Sequence, residues 1–331
     1  MMNFCTLFDS YYIHKGIALY LSLENVTQDF HLYVMSFDKD CYDKLQSLSF
    51  KHMTVELVDN FETPELLNVK PTRTKAEYCW TCGPSVIWHF LTKYNLPSLT
   101  YLDSDLFFIG NPQLVFDEIS DRSIAITEQG ISKKSESLYG KYCVQFMFFR
   151  NDDEGRAALA WWRDSCIEWC FQRFEDGKYG DQKYLDQFPI KYKNLCIISN
   201  FGAGIAPWNM HKYDYKDNYI SYNGHTYPCI FVHMHGLKMT LSNKSMLLRS
   251  YDDTITQRDK EAYYNRYAEL LMILLNNYFN QSIETYTVKG VSFTREMWYK
   301  LRALLRDVKL VQWLYFKVFK QTYKGHGTKL S

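Results

Sequence analysis

The feature that most restricts the fold of this chain is an alternation near its start. Short apolar runs at 2–8, 30–37 and 52–58 are separated by segments of helical period at 13–23 and 40–48. Apolar runs this short suit strands covered on both faces, and a helix between them is the usual connection for parallel neighbours. Asp9-Ser-Tyr-Tyr12 supplies N-cap chemistry between the first strand and the first helix. The pattern predicts an α/β fold with a doubly wound, mostly parallel sheet flanked by helices, which binds ligands at the C-terminal strand edges. Thr6 and Asp9 fall at such an edge.

A second apolar run is interrupted by charge in Tyr101-Leu-Asp-Ser-Asp-Leu-Phe-Phe108. If the strand stays extended, Asp103 and Asp105 share a face and Ser104 points away. Two neighbouring buried carboxylates cost several kcal/mol unless a cation or hydrogen-bond donors satisfy them. Hard cations such as Mg²⁺ or Mn²⁺ accept oxygen ligands and can be shared with a phosphate. A bare Asp-x-Asp is more often a solvated turn, but the apolar residues on both sides leave a charge pair here little purpose except a site.

Further along, 73–94 has helical period with an expected break at Gly83-Pro84, and it opens on Arg73 and Lys75. The runs 123–127 and 142–150 read as strands, and 155–174 as a helix with a tryptophan stripe. Asp181-Gln182 opens another helix, where Asp181 reads most simply as an N-cap. In Phe231-Val-His-Met-His-Gly-Leu-Lys238 a strand again ends in polar groups. His233 and His235 share a face, Gly236 permits close backbone approach, and Lys238 adds a cation, a combination suited to a ligand and phosphate clasp.

The 331 residues allow one large domain with an appendage, and a net charge of +1 excludes the global basic field of a nucleic-acid binder. Nine cysteines, an odd number scattered through apolar segments, and a start without the basic and long apolar parts of a signal peptide predict a reducing, cytoplasmic setting. From about 245 the chain reads as helical without further strands, with helices expected at 259–280 and 294–323. Between Arg295 and Lys324 stand eight Lys/Arg and two Asp/Glu, interleaved with aromatic residues. Such a helix suits an anionic membrane surface, or packs on the main domain with its lysines snorkelling. The expected division is therefore a domain at 1–245 and a helical extension at 246–331.

Taken together, Thr6-Leu-Phe-Asp-Ser-Tyr-Tyr12, Thr74-Lys75, Cys79-Trp80, Asp103-Ser-Asp105, Asp181-Gln182 and His233 to Lys238 resemble, in this order, the motifs of a retaining GT-A glycosyltransferase. The resemblance is to glycosyltransferase family 8, the glycogenin and lipopolysaccharide galactosyltransferase group, over roughly residues 3 to 240. It implies transfer of a sugar from a nucleoside-diphosphate donor, expected to be a UDP-sugar, to a hydroxyl of a glycan or lipid-linked acceptor. It implies Mn²⁺ or Mg²⁺ on Asp103, Asp105 and His233, and donor contacts from Thr6, Asp9, Tyr12, Lys75, Ser104, Gly236 and Lys238. Asp181 and Gln182 would lie beside the reacting carbon. Two stretches depart from the pattern. Cys143-Val-Gln-Phe146 stands where the family has Asn-Ser-Gly, and the lysine after Gly236 comes one residue early without the following Pro-Trp. A sugar nucleotidyltransferase would carry a basic glycine-rich loop where Asp9-Ser-Tyr-Tyr12 stands. An inactive, membrane-apposed relative of the fold is the other alternative.

Overall fold

The computed structural model describes residues 1–242, 245–249 and 256–279, with 238–242 and 245–249 described by their backbone. The strands in chain order are β1 Met2–Phe8, β2 Phe30–Ser36, β3 Met53–Leu57, β4 Ser98–Leu102, β5 Leu106–Phe108, β6 Ile124–Glu128, β7 Tyr142–Arg150, β8 Leu195–Ile198 and β9 Ala203–Ile205. Then follow β10 Asp214–Lys216, β11 Tyr219–Tyr222, β12 His225–Pro228, β13 Phe231–His233, β14 Lys238–Ser242 and β15 Ser245–Arg249. Seven of them form one sheet in the order β3-β2-β1-β4-β7-β6-β8. All its pairings are parallel except those of β7, which runs against β4 and β6.

Every residue of β1 is buried, as expected of a strand with helices over both faces. Phe4 joins the core on one side with Ile17, Leu19 and Phe30, while Cys5 and Leu7 join the core on the other with Val86, Ile87 and Phe90. A second sheet, β5-β13-β9, stands beside the end of β4, and β13 runs antiparallel to β5 with His233 opposite Leu106.

The expected helix break at Gly83-Pro84 does not occur: the helix Lys75–Lys93 runs through Pro84. Proline removes one backbone donor, a cost of about 3 kcal/mol, and here the buried row of Tyr78, Cys82, Val86, Phe90 and Leu91 offsets it. The helix is fixed at its start by a reciprocal cap, in which Thr74 N–H donates to Glu77 and Glu77 N–H donates to Thr74 Oγ1. The tryptophan-striped helix is shorter than its periodicity suggests, spanning Asp153–Glu168. Past Trp169 the chain is held out of helix because Gln172 N–H donates to the Glu77 carboxylate and Phe171 stacks 3.8 Å under the Arg73 guanidinium.

The expectation of no strands after 245 is also overturned, since β14 and β15 form a hairpin in which Ser242 pairs with Ser245. Met239 and Leu241 alternate with polar residues along β14, and β15 is a run of three apolar residues between Ser245 and Arg249, both too short to carry a helical period. A helical run follows from Gln257 to Phe279, with one wider π turn at Lys260–Tyr264. Tyr263, Tyr267, Leu271 and Leu274 from it enter the same core as β1, and the Tyr267 ring lies 5.4 Å from that of Phe107. The basic segment expected at 294–323 lies outside the described residues. No described helix is long and apolar enough to cross a membrane.

Candidate active site

Where β4 ends, the chain does not continue extended. Asp103-Ser104-Asp105 is a turn, closed by Leu106 N–H donating to the Asp103 carbonyl at 3.2 Å, and Asp103 N–H is held by the Gln145 carbonyl at 3.1 Å. The shared orientation of the two carboxylates therefore comes from turn geometry and not from strand alternation. β13 brings His233 against them. Its Nε2 lies 3.0 Å from Asp105 Oδ1 and 3.6 Å from Asp103 Oδ2, and Met234 N–H fixes the register by donating to the Asp105 carbonyl.

The other face of the histidine ring is equally determined. His233 Nδ1 donates to Gln145 Oε1 at 2.9 Å, Gln145 Nε2 donates to Thr127 Oγ1 at 3.2 Å, and the Cys143 thiol reaches the same ring. The departure from the expected Asn-Ser-Gly thus leaves two side chains of β7 bound to the histidine. Gln145 has room because residue 204 is glycine: a Cβ there would lie 2.7 Å from Gln145 Nε2, at a backbone φ of +133°. Trp208 packs edge-on against both His233 and His235, with ring centres 5.5 and 5.3 Å away. Gly236 takes a φ of +66° and turns the chain away after His235.

Electrostatics pull the two carboxylates apart. Burial raises Asp103 to about 6, with Asp105 adding to the rise and His233 opposing it. Burial would also raise Asp105, but His233 and then Lys15 reverse this and hold it well below the ordinary carboxylate range. Lys15, from the first turn of the helix Ile13–Val26, places its Nζ 3.3 Å from Asp105 Oδ2. For His233, burial favours the neutral ring, yet Asp105 outweighs it and raises the imidazole to about 10. Like-charged neighbours with divergent pKa values are characteristic of functional clefts. Asp105, His233 and His235 each offer a ligand atom, all within 4.8 Å of one another. With Asp103 beside them, this oxygen and imidazole set fits a divalent cation of the Mn²⁺ type.

Asp181 does not cap the 3₁₀ turn Gln182–Gln187 with its side chain, so the N-cap reading fails. Its carbonyl is held by Trp162 Nε1 at 3.0 Å, and the carboxyl is buried, raised to about 7 first by that burial and then by the charge of Asp103. Gln182 is half-buried, and its amide donates to the Tyr139 carbonyl at 3.1 Å. Asp9 forms an ion pair with Lys75 and accepts from Tyr12 N–H at 3.1 Å, so these three residues are brought together. Ser104 is the half-buried middle of the carboxylate turn. Thr6 departs from the edge expected for it: it is enclosed within β1, and its hydroxyl has no hydrogen-bond partner. Lys238 opens β14, and its side chain lies outside what is described.

The residues missed by sequence reasoning are Lys15, Gln145 and Gly204, with His235 noted there as a companion of His233 but not as a metal ligand. His-x-His at the end of a strand is a signal that could have found His235. No local pattern marks the other three, because each acts on a partner distant in sequence.

This architecture is shared with solved glycosyltransferases. The galactosyltransferase LgtC, solved in complex with donor and acceptor sugar analogs, superposes with a TM-score of 0.51 at 11% identity, over 82% of this chain and 95% of that one. The apo-form glycosyltransferase GlyE of Streptococcus pneumoniae TIGR4 gives a TM-score of 0.50 at 14% identity, over 88% of this chain and 66% of that one. The chain therefore has the GT-A glycosyltransferase fold. No family model matches the sequence. Within that fold class the chain belongs to the family of YfnF and YfnD, uncharacterized proteins of Bacillus subtilis (strain 168). It is 32% identical to YfnF over 280 residues, 81% of this chain and 91% of YfnF, and 32% identical to YfnD over 257 residues, 75% and 82% of the two.

Proposed function

We propose that the protein is a glycosyltransferase that moves a sugar from a nucleoside-diphosphate donor, a UDP-sugar in this reading, to a hydroxyl of a glycan or lipid-linked acceptor with retention of configuration. The observation that carries the reading is the convergence of the Asp103-Ser104-Asp105 turn with His233 on one buried, charge-divided cluster at the C-terminal edge of β4. A divalent ion held by Asp103, Asp105 and His233, with His235 adjoining, would neutralise charge on the departing diphosphate. Asp9, Tyr12 and Lys75, which stand together after β1, are assigned to the donor, and Lys75 and Lys238 to its phosphates. Asp181 and Gln182 are assigned to the sugar's far side. The buried carboxyl of Asp181, with its pKa raised toward neutrality, can stabilise positive charge on the ring carbon while it is ionised.

An inactive relative of the fold is the second reading, and the altered stretch Cys143 to Phe146 is the observation behind it. Cys143 and Gln145 both engage His233, which favours an intact site. The readings are separated by titrating Mn²⁺ with UDP, ADP, GDP and CDP, then following nucleotide-sugar turnover with EDTA and with Mn²⁺ restored. Metal-dependent binding with chelator-sensitive turnover is expected. Full turnover in EDTA refutes the metal assignment, and diphosphate binding without turnover of any nucleotide sugar favours the inactive relative.

A further inference from the structure

The buried lysine beside Asp105 has no part in the reading above. Lys15 is 7% exposed, and Asp105 is the carboxylate it meets within 4 Å. It takes one oxygen of that group, Oδ2, while His233 takes the other. Its position is built in by the fold. The helix start is pressed onto β1 so closely that a Cβ on Gly16 would meet the Phe8 ring at 2.2 Å, and the Lys15 ammonium is held 4.5 Å over the Tyr12 ring. A cation kept this dry is screened little by solvent.

Without such a neighbour the two carboxylates and the His233 imidazolium carry a charge of about −1, and a bare divalent ion that displaces the imidazole proton meets a site of about −2 that attracts it strongly. With the ammonium in place the attraction is cut, and the site gains more from a ligand that brings negative charge with the metal. We propose that Lys15 is a charge gate of the metal site: it weakens binding of the free divalent ion and couples loading of that ion to arrival of the diphosphate. The inference rests on the reading of Asp103, Asp105 and His233 as a divalent-cation site.

The test measures Mn²⁺ binding by the loss of the free-ion EPR signal, alone and with UDP or inorganic pyrophosphate, for the full chain and for Lys15→Met, Lys15→Gln and Lys15→Arg. Circular dichroism on each variant establishes that it is folded. Removing the charge is expected to tighten binding of Mn²⁺ alone about tenfold, the effect of one nearby charge on a carboxylate site, and to shrink the gain from diphosphate by a similar factor. Lys15→Arg keeps the charge and is expected to stay within about threefold of the native protein. Equal affinity for Mn²⁺ alone in the native protein and in whichever neutral variant folds overturns the gate and leaves the metal site standing. No Mn²⁺ binding by the native protein, with or without diphosphate, overturns the metal site and the gate together.

Discussion

Asp181→Asn offers the sharpest separation between a structural and a functional role. The carboxyl goes from an ordinary value of 3.8 to about 7 in the folded protein because it is buried and faces Asp103. A raised carboxylate binds protons more tightly in the native state than in the unfolded one, so stability falls as pH rises from about 4 to 7 and stays low above that. Roughly three units at 1.36 kcal/mol each give a penalty of about 4 kcal/mol in the native protein above neutrality. The asparagine amide removes the charge but brings its own burial cost of about 1 to 2 kcal/mol. The variant is therefore expected to be about 2 to 3 kcal/mol more stable than the native protein at pH 7.5, with the gap closing toward pH 4. Urea denaturation of both proteins across this range reads the difference directly. Turnover is expected to fall by orders of magnitude, with nucleoside-diphosphate affinity nearly unchanged. A variant less stable than the native protein at pH 7.5, or a gap that ignores pH, refutes the reasoning and returns Asp181 to a packing role.

Gly204→Ala should force Gln145 off His233, because its Cβ would enter the amide at a φ that an L residue adopts with strain. A loss of about 2 to 4 kcal/mol in denaturant unfolding and weaker Mn²⁺ binding are expected together, and a variant with native Mn²⁺ affinity would show that Gln145 does not position the histidine. Glu56 is held below its ordinary 4.5 despite burial by Lys93, His89 and Tyr94, at 2.7, 3.0 and 2.8 Å. Its stabilisation is present above about pH 4.5 and lost as pH falls through the lowered value. Glu56→Gln should cost about 1 to 3 kcal/mol at pH 7 and approach native stability in acid, as thermal midpoints across pH would report.

Much of the fold is legible because β1 to β3 and their helices each satisfy one period, and local pattern agrees with global packing there. The Asp-Ser-Asp run announces a site, but not its form. A turn and a strand end both fit those letters: the Gln145 carbonyl holds Asp103 N–H at the end of the β4–β7 pairing, and Leu106 N–H closes the turn on the Asp103 carbonyl. Pro84 misleads because a breaker's local cost is fixed while the burial that offsets it is contributed by β1, β4 and the helix Asp153–Glu168. The helix beginning at Asp153 misleads in the opposite direction: its stripe continues past Glu168, yet Glu77 and Arg73, far back in the chain, pull the following residues into a loop. Lys15 reads as one more charge at a helix start. Its importance depends on Asp105, ninety residues later.

The placement of His233 on β13 also has a consequence in time. The last strand of the seven-stranded sheet ends at Ile198, so a chain emerging from the ribosome has all seven strands in hand while the histidine, and the helix that completes the core around β1, are still unmade. Synthesis at about 5 to 20 residues per second leaves an interval of seconds in which Asp105 has Lys15 alone as its partner. A nascent chain that has released its strands only up to β8 would accordingly hold the Asp103-Ser104-Asp105 turn without its histidine, and the cluster would close only when the short strand β13 follows.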